Sequence, residues 1–211
     1  MWVKICGMTN REDAVSAAEA GADAIGFVLV PTSPRAVTRR EVEEILRFIP
    51  PTVLTVGVVA NEDPDFLKGL VRVCSLGALQ LHGQEPPEQV LRLKGELSGV
   101  QIIKAVRVRN ADSLKEIRAY KGVDAVLLDT YDPHRLGGTG QPFDWSLAAR
   151  AKEFEIPLIV AGGLTTGNVR EMVRQVEPHG VDVSSGVEIS PGKKDFALIR
   201  QFVLKAKQGG S

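Results

Sequence analysis

The run VDVSSGVE, Val181 to Glu188, starts as a strand of β-forming residues and stops in Ser184, Ser185 and Gly186. A strand that ends in two hydroxyls and a glycine presents bare backbone N–H groups and short O–H donors at one point. A phosphate monoester needs many donors, little bulk and a following helical turn whose N-terminus favours an anion. A similar break lies upstream. Pro157 to Ala161 reads as a buried strand that runs into Gly162 and Gly163, then Thr165, Thr166 and a helix. Two successive strand ends that open into small donors suggest one phosphate held between them. In an eight-fold β/α barrel the recurrent phosphate site follows the last two strands.

The rest of the chain fits that barrel. Short β-type runs begin near Trp2, Ala24, Val53, Ala78, Gln101, Asp124, Pro157 and Val181. They show no clean alternation, which is how strands covered on both faces read. Helical patterns lie between them. Thr9 with Glu12 and Thr38 with Glu41 read as capping boxes. Asp63 and Pro64 read as N-cap and first helical residue, and Asn110 as the cap of a fifth helix. Stripes such as Val42, Ile45, Leu46 and Ile49 keep the helical period. Eight strand–helix units predict a single-domain α/β fold, a (β/α)8 TIM barrel over residues 1–208, with 209–211 as a frayed tail. A doubly wound open sheet also alternates strand and helix, but no G-x-G-x-x-G turn supports it.

Composition narrows the function classes. The formal net charge is zero and the charges are interspersed, so nothing argues for nucleic acid or an anionic membrane as partner. No apolar run reaches transmembrane length and none reads as a signal peptide. Two cysteines, Cys6 and Cys74, are too few for a disulfide framework. A reducing, cytoplasmic setting is expected.

Two long connections stand out: Pro31 to Arg35 (PTSPR), and Thr130 to Phe143 (TYDPHRLGGTGQPF). Loops of such length in a compact barrel are usually functional, and both follow strands, on the face where barrel active sites lie. Gly137, Gly138 and Gly140 give the second one hinges for closing over a ligand.

Several side chains at strand ends carry chemistry. Cys6 ends the first strand, where a thiol before a capped helix would have a lowered pKa; a small buried apolar residue is the alternative. Asp129 ends the sixth strand after four apolar residues, a placement that suits a general acid; a carboxylate capping its own loop is the alternative. Asp182 points either toward a sugar hydroxyl or to Lys4. Arg35 suits a carboxylate at the rim, or is a surface arginine. His82 reads as a base, a donor or a satisfied rim residue, and with no second His or Cys near it no metal site is expected. Cys74 falls in an apolar helical stripe and reads as core. His134 and His179 read as solvated. A phosphate cup of Gly162, Gly163, Ser184, Ser185 and Gly186, with one thiol, one carboxylate and no cofactor, suggests proton shuffling on a sugar phosphate, an isomerase logic.

The motifs VKICGMTN, ADAIGFV, PTSPR, LQLHG, IKAV, LLDT, GGTG with FDW, AGGL, and DVSSGVE followed by PGKKD run in order from residue 3 to 195. In these the chain resembles the phosphoribosylanthranilate isomerases, cofactor-free barrel enzymes of tryptophan biosynthesis. The resemblance implies an Amadori rearrangement of an aminoaldose to an aminoketose. It implies Asp129 as general acid on the furanose oxygen and Cys6 as general base at C2′. It implies Arg35 for the anthranilate carboxylate and the Gly163, Ser185 and Gly186 amides for the phosphate, with His82 and Asp182 as further substrate contacts. It implies a monomer or a homodimer. Bifunctional isomerases that also serve the histidine pathway look similar but carry an aspartate where Cys6 stands. A non-catalytic sugar-phosphate sensor on this scaffold would need neither Cys6 nor Asp129.

Overall fold

Eight parallel strands close on themselves. They are β1 (Trp2–Cys6), β2 (Ala24–Val28), β3 (Leu54–Val59), β4 (Ala78–Leu81), β5 (Gln101–Val108), β6 (Ala125–Thr130), β7 (Leu158–Val160) and β8 (Gly180–Val183). Neighbours in sequence are neighbours in the sheet, and β8 pairs with β1 through Trp2 with Gly180 and Ile5 with Val183. The computed structural model describes residues 1–130 and 144–210. The expected closing loop through Gly137, Gly138 and Gly140, and His134 within it, lie outside the described residues, as does Ser211.

The helices are α1 (Arg11–Glu19), α2 (Arg39–Leu46), α3 (Pro64–Cys74), α4 (Pro87–Glu96), α5 (Trp145–Ala151), α6 (Val169–Val176) and α7 (Phe196–Gly209). Thr38 and Glu41 form the expected reciprocal cap, and Asp63 accepts from two first-turn amides ahead of Pro64. At α1 the expectation fails by one residue. Asn10 is the cap and accepts from Asp13 N, while the Thr9 hydroxyl turns away to donate to Gly192 O. The fifth unit is a 3-10 helix, Ala111–Tyr120, rather than an α-helix. Its buried residues Leu114, Ile117 and Tyr120 recur every third position. Three residues per turn put that spacing on one face, where 3.6 would let it drift.

One parity of the strands faces into the barrel, where Ala24, Val56, Ala78, Ala105, Ala125 and Ala161 pack with Ile103, Leu127 and Ile159 in a cluster of their own. The other parity, such as Ile5, Phe27, Leu79, Ile102 and Leu128, packs outward under the helices. Each large outward residue stabilises by roughly 1.5–3 kcal/mol on burial. Cys74 belongs to this outer core, as expected.

The end of the chain departs from the strand–helix rhythm. After β8 come a single 3-10 turn, Ser185–Val187, and a hairpin of β9 (Glu188–Ser190) and β10 (Lys193–Lys194) before α7. No α-helix N-terminus therefore follows Ser184 directly. The helix α7 also runs further than expected. Gly209 is its last residue rather than part of a frayed tail, and it lies so close to α6 that a Cβ there would sit 3.0 Å from Val173 Cβ. Among the described residues no helix is long and apolar enough to cross a membrane.

Candidate active site

The C-terminal ends of the strands surround a cavity of about 620 Å³. Cys6, Arg35, His82, Asp129, Gly162, Gly163, Asp182, Ser184 and Ser185 all line it. Parity explains the gathering. Lys4 and Cys6 share the inward face of β1, and Gln80 and His82 that of β4 with its end. Asp129 is the penultimate residue of β6, and it is 5% exposed, so its carboxylate is presented from an apolar wall.

Gly186 is the exception, since it is absent from the cavity lining. A Cβ there would run into the Leu164 carbonyl oxygen. The residue is a glycine because the loops after β7 and β8 touch at that point. The cup itself is shaped by Gly162 and Gly163, at φ 77° and 67°, a left-handed pair that side chains resist. Asn168 fixes this turn by donating to Gly163 O and accepting from Thr165 N.

His82 and Asp129 meet. His82 Nε2 lies 3.3 Å from Asp129 Oδ2, and Gln80 Nε2 lies 2.9 Å from His82 Nδ1. With the Gln80 amide donating to Nδ1, a neutral ring carries its proton on Nε2, facing the carboxylate. The backbone under His82 is held from β5. Lys104 Nζ donates to Leu81 O at 3.2 Å and Gly83 O at 2.9 Å, and Arg107 donates to His82 O at 3.1 Å. Lys104 also pairs with Glu85 at 3.0 Å, both almost fully buried. Glu85 in turn accepts from the amides of Asn61 and Gly83.

On the other side of the mouth, Arg35 reaches Glu188 through two nitrogens at 2.8 and 2.6 Å. Lys194 Nζ joins Glu188 at 2.9 Å and also donates to Cys6 O and Ser184 O. Burial works against the Glu188 charge, but Arg35 and Lys194 outweigh it and hold the carboxyl below its ordinary value. The carboxylate expected for Arg35 is thus in part a residue of this chain.

Asp182 resolves toward Lys4, with Oδ1 2.9 Å from Nζ, while still lining the cavity. Cys6 corrects the expectation of a lowered thiol pKa. It sits inside the barrel, and burial pushes the thiol up; Lys4 opposes this and Asp182 adds to it. His179 is exposed, as expected. Among the described residues no group of three or more His, Cys, Asp or Glu is arranged to hold a metal ion.

Glu188, Lys194, Gln80 and Lys104 escaped the sequence reading. Gln80 had a signal, two residues before His82 on one strand face. Lys194 sits in the quoted PGKKD run, but only the hairpin brings it back beneath Cys6.

A family model described as N-(5'-phosphoribosyl)anthranilate isomerase matches residues 3–205. The N-(5'-phosphoribosyl)anthranilate isomerase of Geobacter sulfurreducens is 50% identical over 97% of this chain and 98% of its own. The crystal structure of the Thermotoga maritima enzyme superposes with a TM-score of 0.92 at 40% identity, covering 99% of both chains. A further structure, 39% identical with a TM-score of 0.88 and 99% of both chains covered, is of the isomerase in complex with reduced 1-(o-carboxyphenylamino)-1-deoxyribulose 5-phosphate. A continuous match over nearly the whole length, on a barrel whose mouth gathers a thiol, a carboxylate and a glycine–serine cup, places this chain in the phosphoribosylanthranilate isomerase family.

Proposed function

We propose that this chain isomerises N-(5'-phosphoribosyl)anthranilate to 1-(2-carboxyphenylamino)-1-deoxyribulose 5-phosphate, the Amadori step of tryptophan biosynthesis, by general acid–base chemistry from its own side chains. The observation that carries the residue roles is a single cavity with Cys6 at the end of β1, Asp129 at the end of β6 and the glycine–serine cup between β7 and β8. The phosphate sits at Gly162, Gly163, Ser184 and Ser185, where small residues leave the backbone approachable. Gly186 acts there by letting the two loops close together. The anthranilate carboxylate meets the edge of the Arg35 guanidinium that Glu188 leaves open.

Asp129 gives its proton to the ring oxygen as the C1′–O bond breaks, leaving an open-chain Schiff base. Cys6, as thiolate, takes the C2′ proton. The released pair forms the C1′–C2′ double bond while the C1′–N π pair moves to nitrogen, and the enolamine tautomerises to the ketone. No atoms are gained or lost. A base alone cannot open the ring, and an acid alone cannot move the carbon-bound proton. His82 stands beside Asp129, its Nε2 3.3 Å from Oδ2, and Asp182 presents its second oxygen toward the sugar.

The test is the decay of anthranilate fluorescence with freshly made phosphoribosylanthranilate. Wild type should consume it, and Cys6→Ala and Asp129→Asn should each fall by about two orders of magnitude or more. Turnover that survives either substitution would remove that residue's role; none in wild type would remove the function. We place the enzyme in the cytoplasm, as a monomer or homodimer, on its two free cysteines and on the related Thermotoga maritima protein named as dimeric; light scattering reads the mass.

A further inference from the structure

Inside the barrel, one layer below the base, lies a charge that the mechanism above leaves unused. Lys4 is 0% exposed. Its Cα partner on β8 is Asp182, with which it pairs at 2.9 Å. An ion pair in such a place is weak evidence for stability, because two apolar side chains of similar volume serve as well or better.

The geometry above the pair gives it a use. Gly26 is the register partner of Cys6 on β2. The position its missing Cβ would occupy is 2.7 Å from Cys6 Sγ and 3.2 Å from Lys4 Nζ. Thiol and ammonium therefore share the space that the glycine leaves empty. Two other cations lie near Cys6, each paired with Glu188, and of these Lys194 lowers the thiol pKa less than Lys4 does. Lys194 is bonded to Glu188 and to the Cys6 and Ser184 carbonyls, and Arg35 is forked onto Glu188.

We propose that Lys4 is a positioning residue for the base: its ammonium, held by Asp182, is the counter-ion of the Cys6 thiolate. This rests on Cys6 being the base. A thiol inside a barrel resists ionisation, and a base must be ionised to accept a proton from carbon. The Lys4 charge lowers that barrier, and Asp182, while fixing the lysine, raises it in part. The two halves of one ion pair thus act on the thiol with opposite sign. Burial disfavours the Lys4 ammonium, but Asp182 and Cys6 together outweigh it and hold its pKa above the ordinary value.

Opposite signs make the test. The rate of iodoacetamide alkylation at Cys6 is followed against pH, with peptide mass spectrometry separating it from Cys74. An opposite charge within about 4–6 Å shifts a pKa by about 1–3 units. Lys4→Met should therefore slow Cys6 alkylation roughly tenfold or more near neutral pH. Asp182→Asn, which keeps the lysine, should speed it. Lys4→Gln with Asp182→Asn should slow it by less than Lys4→Met does, and that amide pair keeps the readout open if the single lysine variant does not fold. A shift of Asp182→Asn in the slow direction, a Lys4→Met that reacts faster than wild type, or no shift in any variant overturns the proposal; loosened packing alone would expose the thiol and speed all of them. Wild-type inactivity toward phosphoribosylanthranilate would remove the proposed function and leave these alkylation rates readable. Wild-type turnover with flat alkylation rates would remove only the role of Lys4.

Discussion

Replacing Lys104 by Met tests whether the buried cluster behind β4 acts as one unit. Met keeps the length and apolar stem and removes the ammonium. Three acceptors lose it: Leu81 O, Gly83 O and Glu85 Oε2, at 3.2, 2.9 and 3.0 Å. Removing one partner of a buried ion pair costs about 3–5 kcal/mol, because the other charge stays behind unpaired. Glu85 is 3% exposed, yet it keeps the Asn61 and Gly83 amides at 2.9 and 3.1 Å. Those two donors solvate the remaining charge, so the lower figure, about 3 kcal/mol, applies. For a chain of this size that lowers Tm by about 6–12 °C. Adding Glu85→Gln removes the stranded charge and should return about 1–2 kcal/mol of the loss. Thermal melts by circular dichroism on both variants and wild type read this directly. A loss under about 2 °C in the single variant, or a double variant that melts lower still, refutes the coupled cluster.

Gly186→Ala should raise KM for phosphoribosylanthranilate several-fold and lower stability by about 1–3 kcal/mol, since a backbone carbonyl cannot step aside for a methyl group. Inorganic phosphate inhibition constants measured beside KM tell a damaged cup from a damaged fold. Gln80→Leu should lower kcat by about tenfold or less with KM unchanged, because the ring of His82 loses the partner that aims Nε2 at Asp129. A KM effect alone would contradict that arrangement. Glu85 and Glu188 are both held below the ordinary 4.5 in the folded protein. As pH falls through that value the unfolded chain binds protons that the folded one does not, so their contribution is present above it and is lost below. Tm should hold from neutrality to about pH 5 and fall on further acidification; in Glu85→Gln with Lys104→Met the fall should be shallower.

The barrel was legible because strands buried on both faces and helices with capped starts recur at near-even intervals, and all eight strands begin within one residue of where the runs of Val, Ile and Leu place them. Local chemistry settled Thr38 and Asp63 for the same reason. Thr9 misled because its hydroxyl has a better partner in the hairpin near Gly192, remote in sequence. Cys6, Asp129 and His82 could be placed at the mouth from strand ends alone. What surrounds them could not. The Arg35–Glu188–Lys194 group depends on a hairpin that no run of residues announced, and the raised thiol depends on burial, which a strand-end position does not report.

The seam between β1 and β8 has a consequence for how the protein is made. β1 leaves the ribosome long before its partner β8, so the ring cannot close until Gly180–Val183 is out. At about 5–20 residues per second that is a wait of roughly 10–35 s. Through it β1 has one unpaired edge, and WVKIC is an apolar strand of the kind that recruits another chain. Its inward lysine is the type of charge that discourages such pairing. During synthesis, then, Lys4 is a charge on an open strand edge before Asp182 exists to hold it.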